Sequence, residues 1–325
     1  MKKIIIIYLI CIIGLFFLPA FLITECNIED NVVADGIDKK RIKLQISVTG
    51  EIVELPLEDY LMGVLVGEMP ISYEVEALKA QAVVARTYTL NKIKNSDEAH
   101  KNADMCDDIN HCQAYKTKEY ALNCWDDKEE NQKWDKINRA VKETKDEVIT
   151  YNGSLINAFF HANSGGITED ISNIWGRENI PYLKSVNSEE IDFREERKVF
   201  SISDINKVMK NKDSEYVEIT GGDEAYTLID DKIKVLEYNS SGRVNRLQIS
   251  NIILEGTEVR SLFDLKSTLI SIKFENNDVI FETKGYGHGI GLSQDGANAM
   301  ALKGAKYKEI IKKYYTDVEI KKLEK

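Results

Sequence analysis

Residues 55–86 read LPLEDYLMGVLVGEMPISYEVEALKAQAVVAR, and the rest of the chain is organised around them. Leu57, Leu61, Val64 and Glu68 are spaced four, three and four apart, which puts them on one helical face. A carboxyl group therefore stands in line with core residues, beside Val64, Leu65, Val66, Met69 and Ile71. Pro70 disfavours helical geometry at Met69, so the helix is expected to end there. In its last turn the helix dipole presents partial negative charge. Poor solvation and the dipole both oppose ionisation. The expectation is a Glu that keeps its proton near neutral pH, as a general acid must. The competing reading is a helix-end Glu turned to water.

A second helix follows. Ser72 is the expected N-cap, and Glu74 and Glu76 suit the positive end of the dipole. Val75, Leu78, Ala82, Ala85 and Thr89 make an inward stripe, and Ala77, Ala80, Ala82 and Ala85 allow close packing. Lys79 and Arg86 are seven apart and share a face. On pattern alone that pair is a solvated basic edge.

Upstream, Ile42, Leu44, Ile46 and Val48 alternate as a strand does, and Thr49-Gly50 turns into a second strand over 52–55. Downstream, 95–124 is polar and irregular, and a helix is expected over about 128–144. In EVITYNGSLINAFFHANSGG, Asn152-Gly153 joins two apolar runs, a hairpin signal. The second run delivers His161 and then Asn163, Ser164 and Gly165 into a loop, a place where function often resides. Residues 185–230 are charged and weakly patterned, with a helix at 205–209. Strands are expected over 233–238, 244–249, 269–274 and 279–283, with turns at Gly242 and Asn276-Asn277. Helices close the chain at about 257–265, 297–303 and 308–314. This irregular order predicts an α+β fold with mixed or antiparallel sheets and packed helices. An inserted lobe is expected at about 185–280.

The chain has 325 residues, 30% charged and 43% hydrophobic, which is enough for a packed core. Its net charge of −11 argues against nucleic acid as a partner. Residues 4–23, IIIIYLICIIGLFFLPAFLI, carry no charge over a bilayer's width. Lys2 and Lys3 precede them and favour a cytoplasmic N-terminus. The expected order is a tail at 1–3, an uncleaved transmembrane anchor at 4–23, a tether at 24–40 and an extracytoplasmic domain at 41–325, a single-pass protein of the cell membrane. Cleavage of a signal peptide is the alternative.

His100, Cys106, His111 and Cys112 give the spacing H-x5-C-x4-H-C. Two thiolates and two imidazoles can close a tetrahedral, structural zinc site. Cys124 and His161 are substitutes for the outlying His100, and a Cys106–Cys112 disulfide competes. GYGHGIG over 285–291 imitates a dinucleotide fingerprint, but it opens no βαβ unit and no acidic residue follows at the ribose position. Its glycines instead let backbone come close to a sugar. His288, Ser293 and Gln294 are candidate partners for hydroxyl and acetamido groups.

Three ordered motifs carry a family resemblance: GEMP followed by EALKAQAVVARTY, NSGG at 163–166, and GYGHGIGLSQDGANAMA at 285–301. Over about 41–320 the chain resembles the stage II sporulation protein D family. The resemblance implies a lytic transglycosylase that cleaves peptide-stripped peptidoglycan between N-acetylmuramic acid and N-acetylglucosamine during engulfment in sporulation. It implies Glu68 as catalytic residue, with no catalytic cofactor. It implies substrate contacts from Lys79, Arg86, Asn163, Ser164, Gly165, His288, Ser293 and Gln294, and the stage II sporulation proteins P, an amidase, and M as partners. Ordinary glycosidases need two carboxylates. Here the muramyl C6 hydroxyl serves as nucleophile, so one suffices. A non-catalytic glycan-binding enhancer of a wall amidase is the second reading. A zinc hydrolase is the third, and it suffers because four protein ligands leave no open position.

Overall fold

The computed structural model describes residues 41–95, 100, 102–125, 128–174, 180–220, 231–275 and 278–323. The expected anchor, tether and Asn276-Asn277 turn lie outside them. Among the described residues no helix is long and apolar enough to cross a membrane.

The order begins β1 (Arg41–Gln45), β2 (Ile52–Pro56), α1 (Leu57–Glu68) and α2 (Val75–Lys94). It continues β3 (Met105–Cys106), α3 (Lys118–Cys124), α4 (Glu130–Glu143), β4 (Glu147–Tyr151), β5 (Ser154–Leu155) and β6 (Phe160–His161). Then come β7 (Glu196–Ser201), α5 (Ile202–Lys212), β8 (Ile233–Tyr238), β9 (Val244–Ile249), β10 (Ile252–Glu255) and α6 (Gly256–Leu262). The chain closes with β11 (Leu269–Glu275), β12 (Asp278–Lys284), β13 (Leu292–Ser293), α7 (Gln294–Leu302), α8 (Tyr307–Tyr314) and β14 (Glu319–Lys322). This is the α+β class, in small sheets ordered β2-β1-β3, β14-β4-β5, β13-β6, β10-β9-β8 and β11-β12-β7. Most pairs are antiparallel; β1–β3 and β6–β13 are parallel.

Helix α2 is the axis of the first core. It is buried on nearly every side because Ala77, Ala80, Ala82 and Ala85 let α1, α4, α7, α8 and β4 approach its backbone. Leu61, Leu65 and Leu78 are fully enclosed there, each contributing about 2 kcal/mol. The N-cap of α2 is Glu74 rather than Ser72, with no side-chain cap bond; the chain is still extended after Pro70. The Asn152-Gly153 turn is present, with φ of 48° and 76° that suit this pair. A second core joins α5, α6 and the sheets of β7 to β12, centred on the packed rings of Phe200, Phe263 and Phe281.

Candidate active site

Helix α1 ends as Pro70 requires. Met69 is extended, and its N–H still donates to Leu65 O. Glu68 is thus the last helical residue, half-buried, with no basic side chain in the final turn. Burial pushes its carboxyl up to about 7. Two groups oppose the shift without cancelling it: Ala114 N–H, 2.6 Å from Oε1, and, more weakly, the Gln294 amide, whose Nε2 makes no close hydrogen bond among the described residues.

Ala114 belongs to a strap, residues 102–117, that crosses α1. The strap can lie so close because α1 offers glycines: a Cβ on Gly63 would stand 2.2 Å from the Tyr115 ring, and one on Gly67 2.9 Å from Ala114 C. Its first half is tied to β1 through the β3 pairing, Lys43 N–H to Asp104 and Ser47 N–H to Asp107. Its second half is held by Gln113 donating to Thr89, Tyr115 stacked on Tyr60, and Lys116 N–H donating to Gly63 O. At its bend, ligand atoms of His100, Cys106, His111 and Cys112 all lie within 4.8 Å of one another. His111 Nδ1 is 3.5 Å from Cys106 Sγ and 3.4 Å from Cys112 Sγ, and His100 Nε2 is 3.2 Å from Cys112 Sγ. Both cysteines are unbridged. Two soft sulfurs and two imidazoles at these spacings fit a zinc ion.

On the other side stands the glycine-rich loop, Gly285 to Gly291, leading into α7. Asn163 and Tyr286 exchange backbone hydrogen bonds, which fastens the NSGG loop to it. Gly165 is obligatory at φ 73°, where a Cβ would also press on Leu269 and the Lys284 backbone. Ser164 N–H, Gly165 N–H and Ser293 Oγ all donate to the Glu190 carboxylate, at 2.7, 2.9 and 2.5 Å. Beside Gln294, Asp295 accepts from Asn163 Nδ2 at 2.7 Å, from Tyr73 OH, and from Arg194, whose Nε lies 2.6 Å away. Burial pushes the Asp295 carboxyl up to about 7. The guanidinium and the other donors favour its charged form, so we assign it as a carboxylate. Glu169, fully buried, is likewise enclosed by the side chains of Asn173, Asn239 and Ser241 and by Asp170 N–H.

Of the residues singled out in the sequence, Glu68 and Gln294 meet at one point. Several others make contacts within the protein. Arg86 is fully buried; it pairs with Glu58 at 2.7 Å and donates to the carbonyls of Thr144 and Glu147. Lys79 sits between Glu76 and Glu143, at 2.8 and 2.5 Å. Neither is a solvated edge: both are buried and held in ion pairs within the protein. Ser293 caps α7 and holds Glu190. Asn163 orders its own loop, and Ser164 Oγ accepts from Gly166 N–H. His288 accepts from Ile290 N–H at Nδ1 and also bonds the Phe160 backbone; burial lowers it to about 4, so it is neutral. Its ring nonetheless lines an open pocket of about 530 Å³ with Tyr88, His111, Phe159 and Phe160. Glu190, Arg194, Tyr73 and Asp295 were not anticipated. Asp295 lies inside a quoted motif, but its partners are more than a hundred residues away.

A family model described as "Stage II sporulation protein" matches residues 46–151. The chain is 33% identical over 272 residues to "Stage II sporulation protein D" of Bacillus amyloliquefaciens, covering 82% of this chain and 74% of that one. It is 32% identical to the protein of the same name in Bacillus subtilis (strain 168), with the same coverage. It is 30% identical over 300 residues to "Amidase enhancer" of Bacillus subtilis (strain 168), covering 78% of this chain and 39% of that protein.

Proposed function

We propose, for a chain that belongs to the stage II sporulation protein D family, a lytic cleavage of peptidoglycan glycan strands with Glu68 as the catalytic residue. One observation carries this reading. Glu68 holds its proton near neutrality, whereas the neighbouring carboxylates of Asp295, Glu190 and Glu169 are committed to protein donors. A hydrolase would need a second carboxylate for water or for a covalent intermediate. None of those three is free for it. The nucleophile then comes from the substrate. Protonated Glu68 gives its proton to the glycosidic oxygen as the bond to the muramyl C1 breaks. The resulting carboxylate takes the proton of the muramyl C6 hydroxyl, whose oxygen closes on C1. The products are a 1,6-anhydromuramyl end and a free N-acetylglucosamine hydroxyl, and Glu68 is reprotonated for the next turn.

His100, Cys106, His111 and Cys112 would hold a zinc ion that cross-links the strap carrying Ala114; with four protein ligands it supplies structure and no reaction step. Residues 4–23 would anchor the domain on the outer face of the cell membrane. The stage II sporulation proteins P and M are its proposed partners in wall remodelling during engulfment. The second reading, a non-catalytic enhancer of a wall amidase, draws on the relative bearing that name. Product analysis separates the two. Peptide-free glycan strands incubated with the full chain should yield anhydromuramyl ends. Strands left intact by the wild type, while an added amidase strips stem peptides from peptide-bearing wall faster in the presence of the chain, would favour the enhancer.

A further inference from the structure

Arg194, which pairs with Asp295, also lies over Tyr286, and two aromatic rings here remain exposed, Phe193 at 41% and Tyr286 at 40%. Exposed rings of this kind beside a buried polar node are platforms for the C–H faces of sugars. Both have cations over them. Lys266 Nζ lies 5.1 Å from the Tyr286 centroid and Arg194 6.0 Å from it, and Lys284 Nζ lies 5.8 Å from that of Phe193. The three cations are not equivalent. Arg194 is spent on Asp295, and Lys284 pairs with Glu195 at 3.1 Å. Lys266 makes no ion pair among the described residues, is half-buried, and holds its ammonium over the Tyr286 ring. Its backbone carbonyl accepts from Gly287 N–H, so the lysine is fastened to the glycine loop itself. Asp264 lies near enough to feel its charge and Glu196 accepts from its backbone N–H, but the ammonium itself makes no ion pair among the described residues and stands beside an exposed ring.

We propose that Tyr286 and Lys266 form a subsite for an anionic sugar: the ring stacks on the pyranose, and the ammonium pairs with a carboxylate carried by it. On a peptidoglycan strand the matching group is the free lactyl carboxylate of muramic acid, present where no stem peptide is attached. The subsite thus reads the absence of the peptide. This rests on the glycan reading of the site but not on cleavage.

The test is binding of the full chain, with Glu68→Gln to keep strands intact. Three probes are compared: peptide-free strands, the same strands with lactyl carboxylates capped as methylamides, and strands bearing stem peptides. Capping should weaken binding about fivefold, the range of a single partly exposed ion pair, and added salt should erase the difference. Lys266→Met should bring the free-to-capped ratio close to one, Lys266→Arg should keep it, and the distant Lys207→Met should leave it unchanged. Tyr286→Ala should weaken both probes together. A ratio of one in the parent, or a ratio that survives Lys266→Met, overturns the proposal. So do peptide-bearing strands that bind as tightly as free ones, because the carboxylate would then belong to the peptide. A wild-type chain that makes no anhydro ends but keeps the ratio would sink the lytic reading and leave the subsite standing.

Discussion

The end of α1 and the start of α7 each bring one carboxyl group to the same site, and burial pushes each of them up to about 7. They are nevertheless different chemical objects. Glu68 has one backbone donor and the Gln294 amide. Asp295 has Arg194, Asn163 and Tyr73. Desolvation alone does not make an acid. It does so where the protein withholds counter-charge, as at the end of α1. Where it supplies a guanidinium, the same burial makes a fixed anionic strut.

The largest effect expected from this contrast is at Glu68. Glu68→Gln should lower lytic turnover about 10²–10⁴-fold, read as anhydromuramyl product, with strand binding kept. In the wild type, kcat/KM should fall as pH rises through about 7, since the free enzyme's acid must be protonated. Stability follows the same sign. The raised folded pKa adds stability that is fully present below the ordinary Glu value near 4.5 and is lost as pH rises through about 7. Glu68→Gln should therefore melt higher than wild type at pH 8, and the advantage should vanish near pH 4. Near-normal turnover by the Gln variant would remove Glu68 as the acid.

Next comes the strap that supplies Glu68 with its backbone donor. Cys106→Ser and Cys112→Ser should each lose about one zinc per chain and lower the melting temperature together, because metal binding and folding are linked. Ala114 is two residues from Cys112, so loss of the metal should also loosen the amide that orients Glu68. Elemental analysis finding no zinc in chain purified without chelator would end this reading.

A smaller effect is expected at the strut. Asp295→Asn removes the partner of Arg194 but keeps hydrogen-bonding capacity, at a cost of about 1–2 kcal/mol. Turnover should stay within about tenfold of wild type, and the alkaline limb near pH 7 should not move. A limb that shifts with Asp295→Asn would reassign the titrating acid.

The contrast itself was only half legible in the sequence. Glu68 could be read because its cause is local: a four-three-four apolar spacing and Pro70. The strap announced its ends through Cys and His, but not its path, which depends on Gly63 and Gly67 of a helix some fifty residues earlier. Arg86 and Lys79 were misread because a charge on a helix defaults to the solvent side. Their partners Glu58 and Glu143 are brought in by α1 and α4, and no spacing records that. Glu190 lies in a polar stretch without periodicity. Only the fold shows its oxygens receiving the Ser164 and Gly165 amides.

The smallest effect expected is at Gln294, where the two regions touch. Its amide stabilises the Glu68 carboxylate and so works against the burial that keeps the proton on. Its Nε2 is buried without a close hydrogen-bond partner among the described residues, so the help it gives is weak. Gln294→Leu keeps the approximate volume and removes both the opposing dipole and the buried donor. The Glu68 pKa should then rise further, and the alkaline limb of kcat/KM should move to higher pH. Stability should hold or improve slightly, since removing an ill-matched buried donor in favour of an apolar group of similar size carries little penalty. Turnover on the plateau should change by no more than about fivefold. If Gln294 instead binds the acetamido group of the substrate, KM should rise with the limb unmoved. That outcome would assign the residue to the glycan and leave Ala114 as the donor that tunes the acid.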